Sequence, residues 1–240
     1  MSNIDRYLSG DYIKKNHSYH IEDSDFKWKN FHNILKKSKF DLDKVNSISD
    51  IGCGSGQILK YANSSNIFNN KCIFDGYDIN PDAIKAAKKN PSKISFFNED
   101  FINLKEVKRD LIIAADVLEH VQDKYNFLTK LKNKGNFFLF NIPLEISLFS
   151  MIREKNIFKH SFENVGHLHF YTKRTALLTL ENIGFEILNS NLVNNRFEEL
   201  KKNKKIKSLF INIPQYVVEK FSQNLACSIF GGYSLVVLAK

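Results

Sequence analysis

The sequence has few cysteines and no long apolar run, and both absences narrow the class of protein. Its three cysteines, Cys53, Cys72 and Cys227, are widely spaced and form no CxxC pair. This spacing argues against a disulfide framework and favours buried free thiols in a reducing compartment. No apolar stretch is long enough to cross a bilayer, and the polar residues 1–11 do not resemble a signal peptide. We therefore expect a cytoplasmic protein.

The composition is that of a globular chain with a sizeable core. Of the 240 residues 43% are hydrophobic, so we expect one globular domain with an added cap or insertion. The formal net charge of +9 is compatible with a nucleic-acid or anionic small-molecule partner. However, lysine is used throughout the chain, and the dense lysine cluster at 201–207 lacks interleaved aromatic residues. A dedicated nucleic-acid patch is therefore the less favoured interpretation.

The hydrophobic pattern alternates between strands and helices. Strands are predicted over residues 47–51, 72–79, 94–97, 110–115, 136–142, 185–193 and 234–239. Helices are predicted over 57–65, 81–89, 121–131 and 173–182, with Asn80 and Thr172 as N-caps and Gly135 and Gly184 as terminators. This order indicates βαβ units and a doubly wound, mostly parallel α/β sheet.

Two segments fall outside this alternation. Residues 1–45 are polar and rich in aromatic residues, and they predict a helical cap or lid over a main domain at 46–240. Residues 143–171 form a long connection after the fifth strand. Ligands of open α/β sheets bind beyond the carboxyl ends of the strands, so this connection is placed to form an acceptor-side insertion.

A glycine-rich loop, Asp50-Ile51-Gly52-Cys53-Gly54-Ser55-Gly56, follows the first strand directly. Alone, such a loop fits a dinucleotide site or a simple tight turn. Gln57 stands where the dinucleotide fingerprint needs a third glycine or alanine. Asp78 ends the second strand, where a carboxylate accepts hydrogen bonds from a ribose. Asp100 follows the third strand, where it can accept from an adenine amino group while Phe101 packs on the ring. Together these features predict an adenosine site.

Three segments carry a family resemblance. The strings SDIGCGSGQIL, GYDINPDAI and DLIIAADVLEHVQD resemble the class I S-adenosylmethionine-dependent methyltransferases. The resemblance implies a Rossmann-like sheet of seven strands with the last antiparallel, and S-adenosylmethionine as cofactor. It also implies that the loop residues Asp50, Gly52, Cys53, Gly54 and Gly56 hold the methionyl part. The remaining cofactor-side residues that it implies are Asp78, Ile79, Asp100, Phe101, Ala115 and Asp116.

A narrower resemblance concerns the acceptor. The strings YIKKNHSYHIEDSDFKWK, GHLHFYTKRTALLTLENIGFEI and GGYSLVVLAK resemble bacterial small-molecule methyltransferases encoded beside polysaccharide-synthesis enzymes. This implies a phosphorylated or nucleotide-linked sugar, or another polysaccharide precursor, as acceptor. One position departs from the group's pattern: Asp25 stands where the group has proline ahead of an aromatic residue and lysine.

Candidate acceptor-side groups come from the histidines. Methyl transfer from a sulfonium mainly requires positioning, and a base is needed only where the acceptor must lose a proton. His167 and His169, with His120 after the fourth strand, are the candidate catalytic residues. Packing, acceptor binding or base work, and a metal site all remain open for them. No third ligand stands at motif spacing, so we expect no metal.

The other candidate acceptor-binding residues are Tyr12, His20, Lys27, Glu145 and Tyr171. An RNA methyltransferase, a non-catalytic cofactor-binding protein and a nicotinamide oxidoreductase remain as alternatives. The RNA alternative is weakened because residues 115–118 read Ala-Asp-Val-Leu rather than the Asn/Asp-Pro-Pro-Tyr/Phe motif of the amino-methylating nucleic-acid enzymes.

Overall fold

A computed structural model describes residues 21–89, 93–196, 198 and 213–240. The strands are β1 (Ser47–Ile51), β2 (Ile73–Tyr77), β3 (Ser95–Phe97), β4 (Arg109–Ala115), β5 (Gly135–Leu144), β6 (Ile187–Asn194) and β7 (Tyr233–Ala239). The α-helices are α1 (Ile21–Lys37), α2 (Gln57–Ser64), α3 (Pro81–Ala87), α4 (Lys124–Lys132), α5 (Leu148–Ile152), α6 (Glu154–His160), α7 (Lys173–Ile183), α8 (Ile213–Phe221) and α9 (Gln223–Phe230). No helix in these ranges is long and apolar enough to cross a membrane.

The strands form one sheet in the order β3-β2-β1-β4-β5-β7-β6. The pairs from β3 to β5 are parallel, and β7 is antiparallel to both of its neighbours. Every residue of β7 is buried, because this apolar strand lies between β5 and β6 with both faces covered. The predicted doubly wound sheet of seven strands, mostly parallel with the last antiparallel, is confirmed.

The sheet separates two apolar cores. Along β5, Phe138 and Phe140 face one core while Leu139 faces the other. β7 alternates in the same way, with Val237 on the first side and Val236 on the second. This period of two follows from the strand pleat and shows that both faces are packed.

Helix α1 closes the second core. Its buried apolar residues are Trp28, Phe31, Ile34 and Leu35, and the helix contacts α2, β6 and β7. The spacing of these residues places them on one face of the helix, which explains why it packs against the sheet. Residues 21–37 of the predicted N-terminal cap are therefore helical; residues 1–20 lie outside the described ranges.

The local signals set several boundaries, and three predictions about them were wrong. Helix α4 begins at Lys124 rather than at 121, because the Asp123 carboxylate accepts the Asn126 backbone N–H at 3.0 Å and caps it. Gly135 does not end this helix but begins β5. That strand also continues past 142, through Pro143 to Leu144. The pairing of β5 with β4 ends at Asn141. Pro143 lies beyond that point, so its missing N–H removes no hydrogen bond between β5 and β4.

We expect Gly56→Ala to destabilise the fold strongly. Gly56 has a φ of +73°, and a Cβ placed there would lie 2.3 Å from the Phe96 ring. The left-handed backbone alone costs roughly 1–2 kcal/mol for a residue with a Cβ, and the clash adds to it. Chemical denaturation should show a loss of about 2 kcal/mol or more. In a Phe96→Leu background, Gly56→Ala should cost less stability than it does in the wild type, because the smaller side chain relieves the clash. Equal losses in the two backgrounds would contradict this packing.

Candidate functional site

A cavity of about 720 Å³ opens at the carboxyl ends of the strands. Its walls are the segments that follow β1, β2, β3 and β4, together with Ser24 and Lys27 of α1 and Val165 and His167 of the long connection. This is the position at which open α/β sheets bind ligands. The segment at 143–171, predicted to lie on the acceptor side, thus contributes directly to the cavity wall.

The glycine loop forms part of the cavity wall and is held to the end of β2. Gly52 and Cys53 donate their backbone N–H groups to the Tyr77 carbonyl at 2.8 and 3.1 Å. The Gly54 N–H donates to Asp78 Oδ2 at 2.9 Å, and the Asn80 N–H donates to Oδ1 at 2.8 Å. Each carboxylate oxygen keeps a second lone pair, so Asp78 can also accept from a ligand. Asp78 lines the cavity together with Gly52, Cys53, Gly54 and Ile79.

Asp50 lies behind this loop as a buried carboxylate. Neither of its oxygens has a hydrogen-bond partner among the described residues. Burial raises the pKa of Asp50 well above its ordinary value, and the negative charge of Asp78 raises it further. Asp50 and Gly56 do not themselves line the cavity: Gly56 is the N-cap of α2 and packs against Phe96.

The next part of the wall is built by a single turn of 3₁₀ helix at Phe101–Asn103. Asp100 caps this turn by accepting from the Ile102 N–H at 3.3 Å and from Asn103 Nδ2 at 2.7 Å. The Phe101 ring is almost wholly buried and packs on Tyr77 at a centroid distance of 4.9 Å. Asp100 and Phe101 both line the cavity, and so does Ile102, which the sequence interpretation did not single out.

An ion pair joins α1 to the end of β4. Lys27 Nζ lies 2.5 Å from Asp116 Oδ2, and Asn141 Nδ2 donates to Oδ1 of the same carboxylate at 2.5 Å. Burial by itself would lower the pKa of Lys27, but the charge and hydrogen bond of Asp116, together with the charges of Asp23 and Glu119, outweigh it and raise the pKa. Ala115 and Asp116 line the cavity. Lys27, a candidate acceptor-binding residue, also lines the cavity and is paired with Asp116.

Two histidines lie together in the cavity wall. The rings of His120 and His167 are 4.8 Å apart, edge to face. His167 Nδ1 lies 2.7 Å from Glu145 Oε2, and the other oxygen of Glu145 accepts from Ser161 Oγ at 2.6 Å. His120 Nδ1 lies 3.2 Å from the Gly166 carbonyl oxygen. Glu145 is thus not part of the cavity wall but the residue that orients His167.

Glu119 completes this part of the cavity wall, and the sequence interpretation assigned it no role. Its side chain is fully buried, and neither carboxylate oxygen has a hydrogen-bond partner among the described residues. Burial raises the pKa of Glu119 well above its ordinary value, and the Asp116 charge adds to the effect. Its backbone carbonyl accepts the N–H groups of Leu168 and His169 at 2.7 and 3.2 Å. The sequence signal that could have pointed to Glu119 is its position next to His120, shortly after the predicted strand at 110–115.

The remaining candidates are placed away from the cavity or outside the described ranges. His169 Nε2 lies 2.8 Å from the Val121 carbonyl, and the residue does not line the cavity. Tyr171 is buried in the first core and does not line it either. Tyr12 and His20 lie outside the described residues. The structure therefore brings His120 and His167 together and separates His169 from them.

The hydrogen bonds of the two histidines define their chemistry. Carboxylate and carbonyl oxygens are acceptors, so each imidazole donates from Nδ1 and, when neutral, carries its lone pair on Nε2. Such a lone pair accepts a proton or ligates a metal ion. The arrangement therefore offers acid–base or metal chemistry at one part of the cavity wall and a glycine loop with a carboxylate at another.

Comparison with solved structures finds the same fold in methyltransferases of low sequence identity. Magnesium protoporphyrin IX methyltransferase from Synechocystis PCC 6803, with bound S-adenosylhomocysteine, is 14% identical, with a TM-score of 0.58 over 94% of this chain and 85% of that one. An S-adenosylmethionine-dependent methyltransferase from Archaeoglobus fulgidus is 19% identical, with a TM-score of 0.57 over 92% of this chain and 99% of that one.

A third similar structure contains an acceptor as well as the cofactor product. Phosphoethanolamine N-methyltransferase 2 from Haemonchus contortus, in complex with phosphomonomethylethanolamine and S-adenosylhomocysteine, is 15% identical with a TM-score of 0.62. The similarity covers 95% of this chain and 59% of that one. No curated protein matches this sequence.

A family model gives the assignment that these distant structures do not give alone. The model described as a methyltransferase domain matches residues 25–190, which run from α1 into β6 and include every residue of the cavity wall except Ser24. The chain belongs to this family of methyltransferase domains.

Proposed function

We propose that this protein transfers a methyl group from S-adenosylmethionine to a small-molecule acceptor. The observation that carries the proposal is one cavity whose wall includes both the glycine loop with Asp78 and the histidines His120 and His167. A donor at the loop and an acceptor at the histidines would meet within it. Holding both reactants in near-attack geometry supplies most of what methyl transfer from a sulfonium needs.

The charge of the cavity wall supports S-adenosylmethionine over a dinucleotide. Six acidic residues line the cavity against two lysines: Asp78, Glu99, Asp100, Asp116, Glu119 and Asp123 against Lys27 and Lys130. S-adenosylmethionine carries a sulfonium, an ammonium and a carboxylate group, and this wall attracts its net positive charge. A pyrophosphate would be repelled. Two of the similar structures contain S-adenosylhomocysteine, which supports the same choice.

The charge of the cavity wall also limits which acceptor groups can bind there. Both lysines that line the cavity are already engaged: Lys27 pairs with Asp116, and Lys130 donates to Asn103 Oδ1 at 3.1 Å. An uncharged hydroxyl or amine is therefore the group we expect at the transfer point. A phosphorylated or nucleotide-linked sugar remains our prediction for the whole acceptor, with its charged part directed away from the acidic wall.

A screen with labelled S-adenosylmethionine tests the acceptor class. It should include phosphorylated and nucleotide-linked sugars, their uncharged counterparts and bulk RNA. We expect label in a small molecule. Label in RNA alone would favour the RNA methyltransferase alternative, and binding of S-adenosylhomocysteine without any transfer would favour a non-catalytic protein.

Asp78→Ala should weaken cofactor binding. The substitution removes a carboxylate that holds the loop at Gly54 and has lone pairs left for a ribose. A hydrogen bond to a charged group is worth about 1.5–3 kcal/mol, so the Kd for S-adenosylhomocysteine should rise about 10- to 100-fold in calorimetry. Asp82→Ala, in the first turn of α3, is the matched control and should bind as the wild type does. Equal affinities in both variants would place the cofactor elsewhere.

Asp50→Asn should stabilise the protein without cofactor. The pKa of Asp50 is higher in the folded than in the unfolded state, so its ionisation opposes folding. The cost is absent below the unfolded-state pKa near 4 and grows as the pH rises above it. We expect a gain of about 1 kcal/mol or more at neutral pH, read as a higher Tm, that disappears toward pH 4. The substitution Asp43→Asn, at an exposed site, should give neither the gain in stability nor its dependence on pH. A gain for Asp50→Asn that does not depend on pH would contradict a raised pKa of Asp50.

His167→Ala should lower turnover and spare cofactor binding. His167 lines the same cavity as the glycine loop, and Glu145 fixes its orientation. With an acceptor found in the screen, kcat should fall about 10²-fold while the Kd for S-adenosylhomocysteine changes little. Glu145→Gln should give a smaller loss of the same kind. If kcat falls no more in His167→Ala than in His169→Ala, an acceptor-side role for His167 is refuted.

A further inference from the structure

We propose that Glu119, His120 and His167 bind a divalent transition-metal cation in the wall of the cavity. The cation would give the methyl-transfer site an acceptor-binding group that its other side chains do not supply. The part of this inference that concerns the acceptor rests on the proposed function, whereas the binding of the cation does not rest on it.

The three side chains converge closely enough to share one ion. One ligand atom from each, a carboxylate oxygen and two imidazole nitrogens, lies within 4.8 Å of the others. Glu119 Oε1 and His120 Nε2 are 4.0 Å apart. Ligands at about 2.0–2.2 Å from a common cation stand roughly 3–4 Å from one another, so small side-chain rotations complete the geometry.

The surroundings of both histidines are those of metal ligands. A ligating histidine almost always donates its other ring N–H to a carboxylate or backbone carbonyl, which fixes the tautomer and the ring orientation. His167 donates from Nδ1 to Glu145 and His120 from Nδ1 to the Gly166 carbonyl. Glu145 is itself held by Ser161. Both imidazoles are thus positioned with Nε2 as the ligand atom.

Glu119 supplies the second, independent observation. A carboxylate with no exposed surface and no hydrogen-bond partner among the described residues is costly to bury. The nearby carboxylate of Asp116 adds to the cost, and Lys27, which pairs with Asp116, offsets only part of it. A cation bound by Glu119 would satisfy its oxygens and compensate the excess negative charge.

The ligand types select the class of metal and of acceptor. Two imidazoles and one carboxylate suit Mn²⁺, Fe²⁺ or Zn²⁺, whereas Mg²⁺ and Ca²⁺ prefer oxygen ligands alone. Three protein ligands leave positions open toward the cavity, and a hydroxyl oxygen can take one of them. The cation would lower the pKa of that hydroxyl, whose proton passes to solvent. The oxygen–carbon bond then forms as the methyl–sulfur bond breaks, and sulfur keeps the bonding pair.

Titration of the metal alone into the full chain tests the site. After chelator treatment and dialysis, Mn²⁺ binding is followed by electron paramagnetic resonance and Zn²⁺ binding by calorimetry. We expect one ion per chain. Glu119→Gln, His120→Gln and His167→Gln should each weaken binding at least 10-fold, and Glu145→Gln about 10- to 100-fold through loss of its hydrogen bond to His167. His169→Gln, two residues from His167 and outside the cluster, is the matched control and should bind as the wild type does.

Binding of S-adenosylhomocysteine to the same preparations separates this inference from the proposed function. Chains that bind S-adenosylhomocysteine but neither metal, or that bind metal equally in wild type and all ligand variants, would overturn the cation site and leave the proposed function standing. Failure to bind S-adenosylhomocysteine would overturn the function, whatever the metal does. Circular dichroism identifies any variant that fails to fold, and the remaining ligand variants then decide.

Discussion

The hydrogen bond from the Gly54 amide to the Asp78 carboxylate is the constraint on which the rest of the site depends. It fixes the loop after β1 against the end of β2, and the Tyr77 carbonyl reinforces it by accepting from Gly52 and Cys53. The loop can follow this path only because its glycines adopt positive φ values, up to +73° at Gly56. With the loop held there, α2 starts directly behind it and the cavity opens in front of it. One short element therefore sets both the packing of the sheet and the shape of the proposed cofactor site.

Excess negative charge is the second physical theme of the cavity. Asp50 and Glu119 are buried without hydrogen-bond partners among the described residues, and the charges of Asp78 and Asp116 act on them respectively. Burying unpaired carboxylates lowers the stability of the fold, so a function has to account for them. A cationic cofactor near the loop and a metal cation between the histidines would each compensate one of these groups. The two proposals thus account for the same electrostatic feature at two places, one behind the glycine loop and the other in the cavity wall.

The sequence predicted best what short-range rules determine. The bounds of β1, the Asn80 and Thr172 caps and the Gly184 terminus follow from signals within a few residues, and the structure agrees with each. The glycine loop and Asp78 also lie at the cavity, because strand ends of a parallel sheet meet at one edge.

Pairings between distant residues could not be predicted from such short-range signals. Glu145 meets His167 across 22 residues through the fold of the long connection, and Lys27 meets Asp116 through the docking of α1. The orphaned carboxylate of Glu119 is visible only once its surroundings are packed.

The turn after β4 connects two parts of the cavity wall. Asp116 begins it with a φ of +54° and pairs with Lys27, while Glu119 and His120 end it beside the histidine cluster. The Glu119 carbonyl accepts the amides of Leu168 and His169, so the long connection is docked on the same turn. A shift of this turn would therefore move cofactor-side and acceptor-side groups together. The glycine loop makes its backbone hydrogen bonds to the end of β2, and it also packs on this turn, where a Cβ at Gly52 would lie 2.8 Å from the Val117 side chain. Under the proposed function, substitutions within residues 143–171 would therefore alter acceptor preference and leave the proposed cofactor site unchanged, provided that the turn at 116–120 keeps its position.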